Sequence, residues 1–221
     1  MECSDKISRL KQSCIVYCDE MRIIAGSKRG TKLLSPKSDV SRPITDRVKE
    51  SLFSILDKYD LPAVREAHRP ERSRRSGAIV ADLFSGVGSL GLESLSRAAA
   101  FVTFVEKEAK VIAILERNIE KSGFGCESKV IRADAFKVGA PVDKKKYDLV
   151  FVDPPYSTTV KARAGSPLSR LLDLLNGQLV AGGIVVVRTH KRTELLQQYG
   201  RLAIMEQRRW GTMAVTILRQ K

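Results

Sequence analysis

"AIVADLFSGVGSLGLESLSRAAAFVTFVE", residues 78–106, sets strand, glycine turn, helix and strand in immediate succession. "AIVADLF" is apolar apart from Asp82 and reads as a buried strand. Gly86, Gly88 and Gly91 follow in G-x-G-x-x-G spacing. "SLGLESLSRAA" then reads as a helix that offers Leu90, Leu92 and Leu95 for packing, and "FVTFVE" as the next strand. Glu106 ends that strand about twenty residues after the glycines begin, the distance a dinucleotide fingerprint asks for. Glycines let the backbone pass close to a ligand, and the N-terminus of the following helix favours negative charge. A carboxylate at the end of the second strand can accept from both hydroxyls of a ribose. The stretch points to an adenosine cofactor at the C-terminal edge of a parallel sheet. It does not separate a nicotinamide dinucleotide from S-adenosylmethionine.

Outward from this unit the alternation continues. "SKVIRAD", "YDLVFVD" and "GGIVVVRT" read as strands. "KEAKVIAILERNIEKSG", "SPLSRLLDLLNGQ" and "KRTELLQQYG" read as helices, the first stopped by Gly123. "RLAIMEQRRW" and "TMAVTILRQ", joined at Gly211, predict a closing hairpin. The expected fold is α/β: a Rossmann-like, doubly wound, mostly parallel seven-stranded sheet with a C-terminal antiparallel hairpin. Upstream, "MRIIAGSKRGTKLLSP" predicts two short strands joined at residues 26–30. "SRPITDRVKESLFSIL" predicts a helix capped by Thr45 or Asp46, with Val48, Leu52, Ile55 and Leu56 on one face. Four segments follow: a leader over 1–20, expected to be disordered; a hairpin and helix over 21–60; an Arg-rich connecting loop over 61–77; and the α/β domain over 78–221.

The chain has 221 residues, 43% of them hydrophobic, with 39 Lys and Arg against 25 Asp and Glu. The net charge of +14 and the pI near 9.8 favour a polyanionic partner, most simply nucleic acid. No run of 18 apolar residues is present, so no membrane helix is expected, and the first twenty residues lack the apolar segment of a signal peptide. Cys3, Cys14, Cys18 and Cys126 match no zinc spacing, so free thiols, no metal and a cytoplasmic location are expected. Nothing suggests more than a monomer.

"FVDPPY", residues 151–156, carries the chemistry. In the expected topology its strand lies beside the first, which brings Asp153 next to the glycine loop. The exocyclic amine of a nucleobase is a poor nucleophile because its lone pair is delocalised into the ring. Two acceptors, the Asp153 carboxylate and the Pro154 carbonyl, can hold its two N–H groups and turn the nitrogen towards a tetrahedral shape. Pro155 has no N–H to compete and biases residue 154 to an extended conformation. Tyr156 offers a face on which a base can stack, worth roughly 1–3 kcal/mol. A dehydrogenase has no use for this element. Asp134, at the end of "SKVIRAD", is placed either to read an adenine edge or to cap a short helix over Ala135 and Phe136.

The order "MRIIAGSKRGTKLL", "RPITDRVKESLFSIL", "DLFSGVGSLGLESLSRAA", "VEKEAKVIAILERNI", "DAF", "FVDPPY" resembles the bacterial RsmD-type methyltransferases of small-subunit ribosomal RNA, from Met21 to the C-terminus. The resemblance implies methyl transfer from S-adenosylmethionine to the exocyclic N2 of one guanine in 16S ribosomal RNA, free or in the assembled small subunit. It implies a cofactor site of Thr45, Asp82, Phe84, Ser85, Gly86, Gly88, Glu106, Lys107, Asp134, Ala135 and Asp153. It implies a guanine site of Asp153, Pro154, Pro155 and Tyr156. Arg42, Pro43 and Thr45 match an RPT-like motif with Ile44 inserted. The N-terminal hairpin and helix are expected to bind RNA through Arg22, Lys28, Arg29, Lys32, Arg42 and Arg47. Residues 1–20 and the length of the Arg-rich stretch depart from the family pattern. Two other readings are an adenine-N6 methyltransferase on DNA and a non-catalytic RNA-binding protein of the same fold.

Overall fold

The computed structural model describes residues 15–36, 44–59, 61, 77–142, 145–159 and 163–221. Along them run β1 (Ile15–Arg22), β2 (Lys32–Pro36), α1 (Asp46–Leu56), β3 (Ile79–Leu83), α2 (Ser89–Ser96), β4 (Phe101–Glu106), α3 (Ala109–Ser122), β5 (Ser128–Arg132), α4 (Ala135–Val138), β6 (Tyr147–Val152), α5 (Pro167–Leu175), β7 (Leu179–His190), β8 (Gln198–Tyr199), β9 (Leu202–Trp210) and β10 (Met213–Gln220). β1 and β2 form an antiparallel hairpin apart from the main sheet. The main sheet has the order β5-β4-β3-β6-β7-β10-β9-β8. Its first five strands are parallel, and β10 returns antiparallel along β7.

The inner strands β3, β4 and β6 are buried on both faces, so their sequences are largely apolar, whereas the edge strand β5 is only partly buried. Val80, Phe104, Leu149, Phe151 and Val186 face one core with α1, α2, α3 and the hairpin residues Ile23 and Leu33. Ala81, Leu83, Val105, Val150 and Val152 face the other with Leu168, Leu171, Leu172 and Leu175 of α5. Val48, Leu52, Ile55 and Leu56 of α1 are all buried, as the spacing predicts. Ser166 caps α5 by accepting from Ser169 N–H at 3.2 Å, with Pro167 in the first turn.

Three expectations are corrected. The sheet has eight strands rather than seven, and residues 191–200 form turns and β8 rather than a helix. The cause is Tyr199. Its ring is buried against the second core, and its hydroxyl accepts from Leu196 N–H at 2.9 Å, which closes the segment on itself. Leu195 then packs inward while Leu196 stays exposed, so the two leucines do not share a helical face. β8 then pairs with the outer edge of β9. β1 also begins earlier than expected, at Ile15, inside the stretch read as a leader. Residues 1–14 and nearly all of the Arg-rich stretch lie outside the described residues.

The hairpin is locked onto α2 and α3. Glu93 of α2 accepts from Ile24 N–H at 2.8 Å and Ala25 N–H at 3.1 Å. Asn118 of α3 accepts from Leu34 N–H and donates to Leu34 O and Val87 O. At the turn, Ser27 N–H and Lys28 N–H reach Ser96 at the C-terminal end of α2.

Gly91 sets how closely α2 lies on the sheet. A Cβ there would fall 2.2 Å from a ring carbon of Phe104. Gly91→Ala is expected to lower stability by about 1–3 kcal/mol through overpacking, measured by urea denaturation. A change below about 0.5 kcal/mol would show that the helix can lift at no cost.

Candidate active site

The C-terminal ends of β3, β4, β6 and β7 meet at one edge of the sheet, and each delivers a polar group there. After β3 the chain turns sharply: Phe84, Gly86 and Gly88 all have positive φ, at 58°, 54° and 88°. For Phe84 this is unusual geometry, held by packing of its ring on Phe136 at 4.7 Å between centroids. A Cβ on Gly88 would meet Leu115 at 2.5 Å, whereas one on Gly86 would meet nothing within 4 Å. Gly88 thus seats the loop on α3, and Gly86 turns a bare face to open space. Ser85 Oγ is buried beside it and has no hydrogen-bond partner. An open glycine face and an orphaned buried hydroxyl fit a ligand that approaches the backbone closely.

Glu106 closes β4 under this loop. Its carboxylate accepts from Gly86 N–H at 3.0 Å, Lys107 N–H at 2.8 Å and Glu108 N–H at 3.0 Å. Three of its roughly four acceptor positions are thereby taken, which fixes the group and leaves about one for a ribose hydroxyl. Asp82 is buried and accepts from Gly91 N–H at 2.9 Å, tying β3 to α2. Burial pushes its carboxyl well above the usual range, the Gly91 bond opposes this, and Asp153 and Glu106 push it further up. Asp134 caps α4 by accepting from Phe136 N–H at 3.0 Å, the capping alternative of the two readings, and Ala135 beside it is buried. Thr45 stands exposed at the start of α1, with no side-chain bond to the helix.

Asp153 follows β6, and its N–H donates to Leu83 O at 3.3 Å, which draws it against the end of β3. Its Oδ1 accepts from Arg188 Nε. The register Val152↔Val187 makes this pair neighbours across the β6–β7 ladder. Burial raises the Asp153 carboxyl above its ordinary value, and the Arg188 charge and hydrogen bond pull it back down. Pro155 is extended, at φ −53° and ψ 136°, and Tyr156 opens a 3-10 turn. The Arg188 guanidinium lies 5.9 Å from the Tyr156 ring, and His190 stands edge-on to that ring at 6.0 Å. Sequence reading missed Arg188 and His190. Their signal was alternation: both sit at the end of an apolar strand, two residues apart, on the face of Asp153.

The predicted RNA-contacting cations divide. Arg22 bonds Asp46 at 2.7 Å, so with Arg47 it stands at the start of α1. Lys28 and Arg29 lie in the hairpin turn by Ser96, one α2 length (about 12 Å) from the glycine loop, towards the opposite edge of the sheet. Lys32 begins β2, where its carbonyl accepts from Lys121. Arg42 and Pro43 lie outside the described residues.

The glycine loop and Asp153 thus share one edge of the sheet. The family model described as "Conserved hypothetical protein 95" matches residues 21–219. The chain belongs to that family, the RsmD-type methyltransferases. It is 35% identical over 179 residues to the ribosomal RNA small subunit methyltransferase D of Haemophilus influenzae, covering 80% of this chain and 82% of that one. The solved Escherichia coli chain yhhF is 28% identical, with a TM-score of 0.69 over 91% of this chain and 98% of that one. An RNA methyltransferase from Salinibacter ruber, solved with S-adenosyl-L-homocysteine, shares the fold at 15% identity, with a TM-score of 0.55 over 81% of this chain and 94% of that one. Among the described residues no helix is long and apolar enough to cross a membrane.

Proposed function

We propose that this chain transfers a methyl group from S-adenosylmethionine to the exocyclic N2 of a guanine in 16S ribosomal RNA. The observation that carries the reading is Asp153, drawn against the glycine loop by Leu83 and oriented by Arg188, with Pro-Pro-Tyr immediately after it. The names of the relatives support ribosomal RNA as the substrate class. The fold and family support S-adenosylmethionine as the methyl donor.

Gly86, Ser85 and Glu106 would hold the cofactor, with Phe84, Asp134, Ala135 and Lys107 around its adenosine end and Thr45 beside it. When bound, it supplies an electrophilic sulfonium methyl. The target base leaves its stack and lies against Tyr156. Arg188 occupies Oδ1 of Asp153, so Oδ2 is the oxygen turned to the guanine amine. That oxygen and the Pro154 carbonyl accept the two N2–H bonds and free the nitrogen lone pair. As the new N–C bond forms and the S–C bond breaks, N2 becomes cationic and sheds a proton. Asp153 stands in place to take it up, because burial makes this carboxyl more basic than usual. Most of the rate gain is positioning.

The reading is tested by transfer of labelled methyl to small ribosomal subunits that lack methylated guanine. Label on one guanine is expected; label on DNA adenine instead would overturn it. A second expectation concerns pH. Arg188 is the charged group against Asp153, Asp82 lies near enough for Asp153 to raise its pKa, and Tyr156 and His190 stand on the far side of Arg188. Arg188 lowers the Asp153 pKa, so Arg188→Met should move the acidic limb of the rate profile to higher pH. Arg188→Lys should move it less. An acidic limb that stays in place in both variants would reduce Arg188 to a packing role.

A further inference from the structure

We infer that the open groove between α1 and the end of β9 is the docking surface for the single-stranded RNA that flanks the target base. This rests on the ribosomal RNA reading above and extends it from the base to its neighbours. The groove, of about 680 Å³, is lined by Arg47, Glu50, Ser51 and Ser54 of α1 and by Arg208, Arg209 and Trp210 of β9.

Position is the first argument. His190, at the end of β7, pairs with Met213, and Met213 pairs with Trp210. Strands lie roughly 4.8 Å apart, so Trp210 is about 10 Å from His190 across the sheet. His190 in turn touches the Tyr156 ring. The groove therefore opens on the same edge as Asp153, within the reach of a few nucleotides. α1 runs beside β9 in the opposite sense: Tyr59, just past its end, bonds Glu206 at 3.2 Å, while Arg47 in its first turn shares the groove with Trp210.

Chemistry is the second argument. The groove presents the guanidinium groups of Arg47 and Arg208 against one lining carboxylate, Glu50. Arg208 is exposed and bonded along its own strand to Glu206 at 3.0 Å, which holds its fork in place, whereas the Arg209 side chain alternates to the other face of the strand, where it bonds Gln207 at 3.1 Å. Arginine forks in fixed orientation suit phosphate oxygens. Trp210 is half-buried, braced against the first core, and so is a rigid face for stacking a base. Ser51 and Ser54 add hydroxyls. Lys191 and Arg192 extend the positive edge: both are exposed, and Lys191 N–H bonds Thr212 O in the β9–β10 turn.

Arg22 and Arg29 of the hairpin line an adjoining pocket that shares Glu50 with the groove, so the positive surface continues on the α1 side.

The test compares the full chain with Arg47→Ala/Arg208→Ala, Trp210→Ala and Trp210→Phe. The probes are small ribosomal subunits lacking the methyl group and a labelled single-stranded oligoribonucleotide of mixed sequence. The double variant should raise KM for subunits about tenfold, leave kcat and S-adenosylmethionine affinity within about twofold, and leave the melting temperature unchanged. Its salt dependence of oligoribonucleotide binding should flatten by about 1.4 in log–log slope, because two phosphates of a single strand would no longer be neutralised. Trp210→Ala should weaken binding, and Trp210→Phe should restore most of it. Unchanged KM and slope in the double variant, with the wild type active, would overturn the groove and leave the guanine reading standing. Weaker binding to subunits but not to the oligoribonucleotide would assign the groove to a protein of the particle and overturn RNA docking. A wild type that labels no RNA would overturn the reading beneath both.

Discussion

Replacing Asp153 with Ala should slow methyl transfer about 100- to 1,000-fold, the usual loss when one preorganised polar partner is taken from a reacting centre. The loss should fall on kcat, because the acceptor matters most when the amine nitrogen becomes tetrahedral and then cationic. Asp153→Asn separates shape from charge. The amide keeps one carbonyl acceptor but adds an N–H₂ that faces either Arg188 or the guanine amine, both of which are donors. Asn should therefore recover only part of the loss, and its rate profile should lack the acidic limb that Asp153 sets. In the proposed site Asp153 would border the cofactor, so S-adenosylmethionine affinity is expected to fall, but by less than tenfold in calorimetry. The melting temperature of each variant separates chemistry from folding, since either change leaves a mostly buried Arg188 without its ion pair. Full activity of Asp153→Asn at neutral pH would show that a neutral acceptor suffices and would remove the carboxylate from proton uptake.

The parts of this site that could be read in the sequence are those whose partners are close along the chain. The glycine spacing, Glu106 twenty residues beyond Gly86, and D-P-P-Y after an apolar strand each carry their own context. Arg188 does not: its partner is Asp153, on a neighbouring strand and joined to it only by sheet register. Read alone, "VVVRTH" is a strand running out into polar residues. Asp82 shows the opposite limit. It lies in the motif, yet the structure turns it to Gly91 N–H inside the fold rather than to open space. The misread helix at 191–200 has the same origin. Leucines at 195 and 196 suggest a helical face, and only the burial of Tyr199 decides that the chain turns and pairs with β9 instead. β9 itself read simply as a strand. That Arg208 and Trp210 face α1 across a groove depends on how α1 crosses the sheet, which no local pattern states.

Glu93 is where the largest effect on stability is expected. It lies in "SLGLESLS", among the leucines of α2, and is fully buried. Its carboxylate accepts from Ile24 N–H, Ala25 N–H and Arg97 Nε, the last at 2.8 Å, and Lys49 Nζ lies 3.5 Å away. Lys49 is itself buried and donates to Arg22 O at 2.6 Å and Ser89 Oγ at 3.3 Å. Burial lowers the Lys49 pKa, and Glu93 is the strongest influence holding it up. One carboxylate thus joins α1, α2 and the hairpin. A buried pair of this kind is weak evidence for net stabilisation over an apolar core, but losing one partner strands the other charge. Glu93→Ala should cost about 3–5 kcal/mol, because it leaves Lys49 uncompensated and two hairpin amides unbonded. For a chain of this size that is a fall of roughly 6–20 °C in melting temperature. Hydrogen exchange supplies the local readout: the Ile24 and Ala25 amides should lose protection before the β3–β6 ladder does. Glu93→Gln keeps one acceptor and should cost less. If Glu93→Ala lowered stability by under about 1 kcal/mol with those amides still protected, the hairpin would be held by the apolar packing of Ile23 and Leu33 and by Asn118, and the buried charges would serve only to fix which way it docks.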